Sequence, residues 1–381
     1  MPFGESKFSD SASYPVDFKS HPTRPLEAGA THPRFAFPRI GDIIWAGSES
    51  HAGNDTTMPK RILSGVQPSG KVHVGNYFGA IKQHIALQEL PDVERFYFIA
   101  DFHSMTTIQD AATLRSYVQG VAVDYLALGL DPQRSVFFRQ SDVPEVTELA
   151  WMLSTVTGMG LLQRAHSYKD KIAKNITPNV GLFYYPVLMA ADILIYKADI
   201  VPVGHDQVQH VEMTQDMAGY FNETYKTKVF VRPEAKLSDT PKVPGTDGEK
   251  MSKSYGNTID LQSDEKELKK VIMSVKTDST PVDQPKDPTT DNVFALYSLF
   301  STEDEKTALA ARYRAGGMGY GDAKKLLLEK VIAYFADYRK RRTELLARPE
   351  FVDEILLDGA QRARKVARQT LNDAKFACGL M

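Results

Sequence analysis

Residues 68–76, PSGKVHVGN, put Pro, Ser, two Gly, His and Asn directly after an apolar run. Gly70 and Gly75 would let a polyphosphate approach the main chain, and a helix opening there offers free N–H groups and a positive dipole end. His73 and Asn76 add donors in the same turn. No G-x-x-x-x-G-K-[ST] run occurs, so this is not a P-loop. Taken alone, the stretch reads equally as a surface loop. A second stretch, GEKMSKSYGN at 248–257, sets Lys250 and Lys253 around Ser252 in a Gly-bounded loop. Two ammonium groups on such a loop can close over a phosphate and neutralise a leaving pyrophosphate. By itself it also fits a solvated charged loop. YKDKIAK at 168–174 is a third lysine cluster, and a solvated helix face would explain it. In YYPVLMAADILIY, residues 184–196, one carboxylate, Asp192, sits in an otherwise apolar helix. That is costly unless it is paired. Either a protein donor satisfies it, or it accepts a ligand N–H or O–H in an apolar pocket.

The elements that must position these residues alternate from Lys60 onward. RILSGV is a strand, GNYFGAIKQHIALQEL an amphipathic helix, RFYFIADFH a strand, AATLRSYVQGVAVDYLALGL a helix and SVFFRQSD a strand. That order predicts right-handed crossovers and a parallel sheet, with ligands at the carboxyl ends of its strands. The opening loop, Asp101–His103 and Gln140–Asp142 all fall at such ends. IVPVGHDQ repeats the theme and delivers Gly204, His205, Asp206 and Gln207. Residues 145–165 and 182–197 read as a helical insertion. After residue 258 every apolar pattern is helical, with Asp322 expected to cap the long helix AKKLLLEKVIAYFADYRKRRTELLA. The expectation is an α/β fold: a Rossmann-like parallel-sheet catalytic domain over 58–258 with the helical insertion, and an all-α domain over 259–381. Residues 1–57 are poor in apolar periodicity and read as a disordered extension; their acids outnumber their bases, unlike an organelle-targeting segment. Met58, just before the first strand, is an alternative start.

Bulk properties exclude several classes. Net charge is −2 over 381 residues, so nucleic-acid contact must come from local basic patches. The one cysteine, Cys378, excludes an intrachain disulfide framework and fits a reducing compartment. No apolar run reaches 18 residues, and no membrane association is expected.

Seen together, these segments resemble the class I aminoacyl-tRNA synthetases. PSGKVHVGN is similar to their HIGH-type signature, and KMSKS is their second signature, unaltered. SGVQPSGKVHVGNYFGA, YPVLMAADILIY and PVGHDQVQHVEMTQDMA are similar to the versions in the tryptophanyl-tRNA synthetase family, whose nearest relatives act on tyrosine. The resemblance covers about residues 58–381. Three positions depart from it: Asn76 ends the first signature in place of His, His205 stands where an acid is frequent, and Gln215 stands for Arg.

The resemblance implies a tryptophan–tRNA ligase of translation. Tryptophan and ATP give tryptophanyl-adenylate and pyrophosphate, and the 3′ end of the tRNA then takes the tryptophanyl group. It implies catalytic roles for Gln67, Asn76, Lys171, Lys250, Ser252 and Lys253, with Lys169 beside Lys171. ATP contacts are implied at Gln67, Pro68, Ser69, Gly75, Asn76, Gly204, His205, Asp206, Val243, Lys250, Met251, Ser252, Lys253 and Ser254. For tryptophan they are implied at Asp192, which would accept the indole N–H, and at Tyr185, Met189, Gln207 and His103. Tyrosine also carries a donor at its ring rim, so Asp192 alone does not separate the two. Mg²⁺ would ride on ATP, with no metal held by the protein. The partners implied are tRNA(Trp), L-tryptophan, ATP and a second copy of the chain, in the cytoplasm. VTELAWMLSTVTG is the candidate face for that second copy. Two basic clusters, Arg339–Arg342 and Arg362, Arg364, Lys365 and Arg368, are candidates for tRNA phosphates.

Overall fold

The computed structural model describes residues 59–165, 179–237 and 243–381, apart from the side chain of Asp206. The expected tail over 1–57, and Lys169 and Lys171, lie outside the described residues.

Chain order runs β1 (Lys60–Val66), α1 (Val74–Asn76), a π-turn at Tyr77–Ile81, α2 (Lys82–Leu87), β2 (Val93–Ile99), α3 (Asp101–Ser104), α4 (Ala111–Leu128) and β3 (Val136–Arg139). Next come α5 (Glu145–Ser154), α6 (Met159–Gln163), α7 (Val180–Ile195), β4 (Ile200–Val203), α8 (Val208–Thr224) and β5 (Glu234–Leu237). The helices after that are α9 (Glu265–Met273), α10 (Asn292–Ser298), α11 (Glu303–Ala315), α12 (Tyr320–Tyr334), α13 (Ala336–Leu346) and α14 (Pro349–Ala377).

The five strands form one parallel sheet in the order β3-β2-β1-β4-β5. β1 is central: the chain leaves it first toward β2 and later returns to β4 on its other side. The crevice at that reversal, beyond the carboxyl end of β1, is where an open α/β sheet binds ligands. Helices cover both faces, so β2 and β3 are apolar on both. Phe96 and Phe98 of β2 join Phe138, Val201 and helices α5, α7, α8 and α14 in one core cluster. Tyr97 and Ile99, alternating with them, join Phe137, α4 and the helices from α9 to α14 in the other. The helical region after residue 258 thus shares a core with α4 and β2.

Two sequence expectations need correction. Asp322 is not a cap: Gly319 occupies that position, and Asp322 lies within the first turn of α12, where its charge still favours the helix dipole. The pattern expected as one helix over AKKLLLEKVIAYFADYRKRRTELLA divides at Phe335, which leaves α12 and α13 as separate rods. β5 carries no strand signal in the sequence. Its side chains are mostly exposed, so it lacks the apolar alternation that marks a half-buried strand.

Candidate active site

The first signature leaves β1 and turns into α1 through a reciprocal cap. The His73 Nδ1 accepts the N–H of Asn76 at 3.3 Å, and Asn76 Oδ1 accepts the N–H of His73 at 3.2 Å. This is a capping box built from His and Asn rather than Ser and Glu. It holds the Asn76 side chain at the cap. The cap also requires a neutral ring at Nδ1. Burial, and after it the Lys253 ammonium, push His73 down to about 4, against the pull of Asp260.

The second signature is tied to the first at three points. The Val74 N–H donates to the Ile259 carbonyl at 2.9 Å and the Leu261 N–H to that of Val72 at 3.0 Å, a short ladder between the two segments. The Gly75 N–H donates to Met251 Sδ at 3.1 Å. Lys253 Nζ donates to the Ser69 carbonyl at 3.1 Å and lies 3.4 Å from Ser69 Oγ. Burial lowers Lys253 from the usual ammonium range, while Asp260 and Asp124 work the other way. Gly75 has no room for a side chain: a Cβ would stand 2.9 Å from His73 Nδ1 and 3.2 Å from Met251 Cβ.

The KMSKS loop is shaped by Asn257, which is buried. Its Oδ1 accepts the Ser252 N–H at 2.8 Å, and its Nδ2 donates to Asp247 at 2.8 Å and the Lys250 carbonyl at 3.2 Å. Ser252 caps the turn Lys253–Tyr255. Lys250, Lys253 and Ser254 of this loop are exposed, as are Gln67, Ser69 and Asn76 of the first signature loop. Val243, Met251 and Pro68 are buried beneath it, so their side chains build the loops. Gly204 and His205 are exposed where β4 ends.

A second cluster gathers at the ends of β2 and β3. Asp192 on α7 is 2 % exposed. Gln140, the first residue after β3, places Nε2 2.8 and 2.9 Å from its two carboxylate oxygens, and His103 Nε2 lies 2.9 Å from Oδ2. Burial pushes Asp192 above the usual carboxylate range, and the His103 and Gln140 contacts oppose that shift. Tyr185 and Met189 share the Asp192 face of α7, at helical spacing, and both are half-buried. The rings of Tyr185 and His103 meet edge to face with centroids 6.4 Å apart, and Tyr185 Oη lies 2.5 Å from His210 Nε2. Gln207 follows β4 in a single 3₁₀ turn. Asp101 joins the two strand ends by accepting the N–H of Ser141 at 3.0 Å.

In the sequence Gln140 falls at a ligand-binding strand end without a role of its own, because a lone Gln carries no pattern, and Asp124 carries none either. That buried carboxylate on α4 accepts from Gln262 at 2.7 Å, Tyr338 at 2.8 Å and Arg342 at 2.8 Å. Gln262 directly follows the ladder to the first signature. The basic clusters are partly engaged inside the chain. Arg364 and Arg368 both donate to Glu145 at 2.9 Å, and Arg342 is held by Asp124. The departure Gln215 donates to the Pro233 carbonyl at 2.7 Å, joining α8 to the approach of β5.

Residues 55–336 match the family of class I tRNA synthetases for W and Y. A tryptophan–tRNA ligase of Rhodopirellula baltica is 54% identical over 321 residues, 84% of this chain and 99% of that protein. One from Fusobacterium nucleatum is 51% identical over 323 residues, 84% of this chain and 98% of its own length. Among solved structures, tryptophanyl-tRNA synthetase of Campylobacter jejuni, complexed with ADP and tryptophan, superposes with a TM-score of 0.80 at 50% identity, covering 84% of this chain and 99% of that one.

Proposed function

This chain belongs to the class I tRNA synthetases for tryptophan and tyrosine, and on that premise we propose that it activates L-tryptophan with ATP and transfers it to the 3′ end of tRNA(Trp). One observation carries the residue-level reading. The two signature loops meet through Gly75–Met251 and Ser69–Lys253 beyond the end of β1, while a buried Asp192, held at the ends of β2 and β3, lies on the same edge of the sheet.

In the first step a tryptophan carboxylate oxygen attacks the α-phosphorus of ATP in line. The bond to the pyrophosphate oxygen breaks, and the leaving group takes the charge. No covalent intermediate on the protein is required, so positioning and electrostatics suffice. Lys250, Lys253 and Ser252 neutralise the pyrophosphate. Gln67, Ser69, Gly75 and Asn76 receive the phosphates and adenosine, and Gly204, His205 and Asp206 receive the ribose and base. Lys169 and Lys171 complete the set of cations. In the second step a ribose hydroxyl of the tRNA terminus attacks the tryptophanyl carbonyl, and AMP leaves.

Asp192 accepts the indole N–H, with Met189 against the ring and Tyr185, Gln207 and His103 around the amino-acid end. Among the described residues no three His, Cys, Asp or Glu side chains converge on a metal position. In this reading Mg²⁺ travels on the ATP phosphates and water, as it usually does in nucleotide sites.

The helical region binds tRNA through basic residues other than those paired internally. A second copy docks on α5, where Trp151 is 70 % exposed. No helix among the described residues is long and apolar enough to cross a membrane, and the reaction is assigned to the cytoplasm, with its tRNA.

The test is ATP–pyrophosphate exchange with each of the twenty amino acids, with Asp192→Ala alongside. Exchange with tryptophan alone, lost in the variant, is expected. Exchange with tyrosine instead would overturn the substrate, and folded protein inactive with every amino acid would overturn the enzyme.

A further inference from the structure

We propose that Gln140 is a positioning residue for amino-acid choice: it holds the Asp192 carboxylate as a fixed acceptor, so that the pocket floor suits a ring N–H and disfavours a ring hydroxyl. The inference rests on the tryptophan reading above and adds to it the residue that makes Asp192 selective.

Gln140 is 1 % exposed. Its Nε2 spans both oxygens of Asp192 at 2.8 and 2.9 Å, while His103 Nε2 lies 2.9 Å from one of them. The Oε1 of Gln140 is buried and accepts no hydrogen bond from any described residue. A buried amide oxygen without a donor is rare and calls for a ligand or a water.

These contacts give the floor a surplus of acceptors. A carboxylate offers about four lone-pair positions, and the described donors take only part of them. Gln140 Oε1 adds another acceptor. An indole N–H donates and asks for nothing in return. A phenol hydroxyl also donates, but its own lone pairs then ask for a donor, and the Nε2 of Gln140 is already committed to Asp192. Burial works against the ionised Asp192; the His103 contact, and after it the Gln140 amide, oppose that by favouring the ionised form, the one that can only accept. Discrimination built on buried hydrogen bonds is steep, because a mismatch leaves a buried polar group unpaired.

The experiment measures tryptophan- and tyrosine-dependent ATP–pyrophosphate exchange for the full chain, Gln140→Leu and Gln140→Glu, with melting temperatures for all three. Gln140→Leu should raise KM for tryptophan about tenfold, the loss of one hydrogen bond to a charged group. It should leave KM for ATP within roughly twofold and narrow the tryptophan-over-tyrosine ratio of kcat/KM by about tenfold. A purely structural role would move both KM values and leave the ratio alone. If Gln140→Leu does not fold, Gln140→Glu decides, since it keeps the shape but sets a second carboxyl beside Asp192, where the two must share a proton. It too should narrow the ratio. Folded variants with the parental ratio would overturn the role of Gln140 while leaving the tryptophan reading intact. Parental protein inactive with tryptophan would overturn both.

Discussion

At the scale of single residues, the cleft is defined by what cannot be enlarged or charged. Gly75→Ala places a methyl group against His73 and Met251, the contact where the two signature loops meet. Neither neighbour is the free end of a long side chain: one is a capping ring, the other a Cβ on the main chain. The loops should part by a few tenths of an ångström, and Lys253 with them. The expected outcome is a fall of roughly 100-fold in kcat/KM for ATP, the scale of losing one well-placed charge-stabilising group, with the melting temperature nearly unchanged. Pyrophosphate exchange beside a thermal melt checks it. A second residue-scale prediction concerns His84, whose ring is buried against Tyr97 and which burial pushes down to about 4. Its folded value lies below its unfolded one, so the unfolded chain binds the extra proton. Stability from this group is therefore complete above about pH 6.5 and is lost as pH falls toward 4. His84→Gln should flatten the dependence of melting temperature on pH in that window. An unchanged slope would mean that the ring titrates normally in the fold.

At the scale of elements, the sequence pattern was most informative where apolar residues alternate or recur on a helical stripe. β1 to β4 and the helix of Asp192 read correctly because burial on both faces leaves long apolar runs between turn residues. The same logic fails at β5, an edge strand held by main-chain pairing to β4, and at Phe335, where one continuous apolar stripe divides into two rods. The chemistry was legible through short motifs, and those motifs name loops. What they do not name is the residue that holds a motif residue in place: Gln140 behind Asp192, Asn257 behind Ser252, Gln262 behind the ladder. Each is a common polar residue whose role exists only once distant segments meet. The crossing of α14 over β3 is of the same kind. A Cβ on Gly359 would run into the Phe137 carbonyl oxygen, so helix and strand touch main chain to main chain. Gly359→Ala must lift α14 off the sheet. A loss of about 3 kcal/mol or more is expected, at the upper end for overpacking because backbone rather than a side chain is in the way. Chemical denaturation measures it, and a loss under 1 kcal/mol would show that the helix can slide.

At the scale of the whole molecule, the question is where the positive charge goes. The net charge is −2, and the sequence offers two basic clusters in the helical region as sites for tRNA phosphates. The folded chain spends much of one of them on itself. Arg364 and Arg368 of α14 converge on Glu145 at the start of α5, a carboxylate only 7 % exposed, and Lys375 pairs with Glu148 one turn further on. These pairs hold the last helix against the helical insertion. Glu145 stays below the usual carboxylate range because, although burial works against it, its main-chain bond and the two arginines outweigh that cost. Replacing both arginines by alanine leaves a nearly buried carboxylate without its cations. Breaking such a pair costs more than forming it gains, on the order of 2 kcal/mol here, since Arg368 is itself mostly solvated. The double variant should melt earlier yet aminoacylate tRNA with unchanged KM below its melting temperature. A raised KM for tRNA, steeply dependent on salt, would instead return these arginines to the nucleic-acid surface and make Glu145 their resting partner.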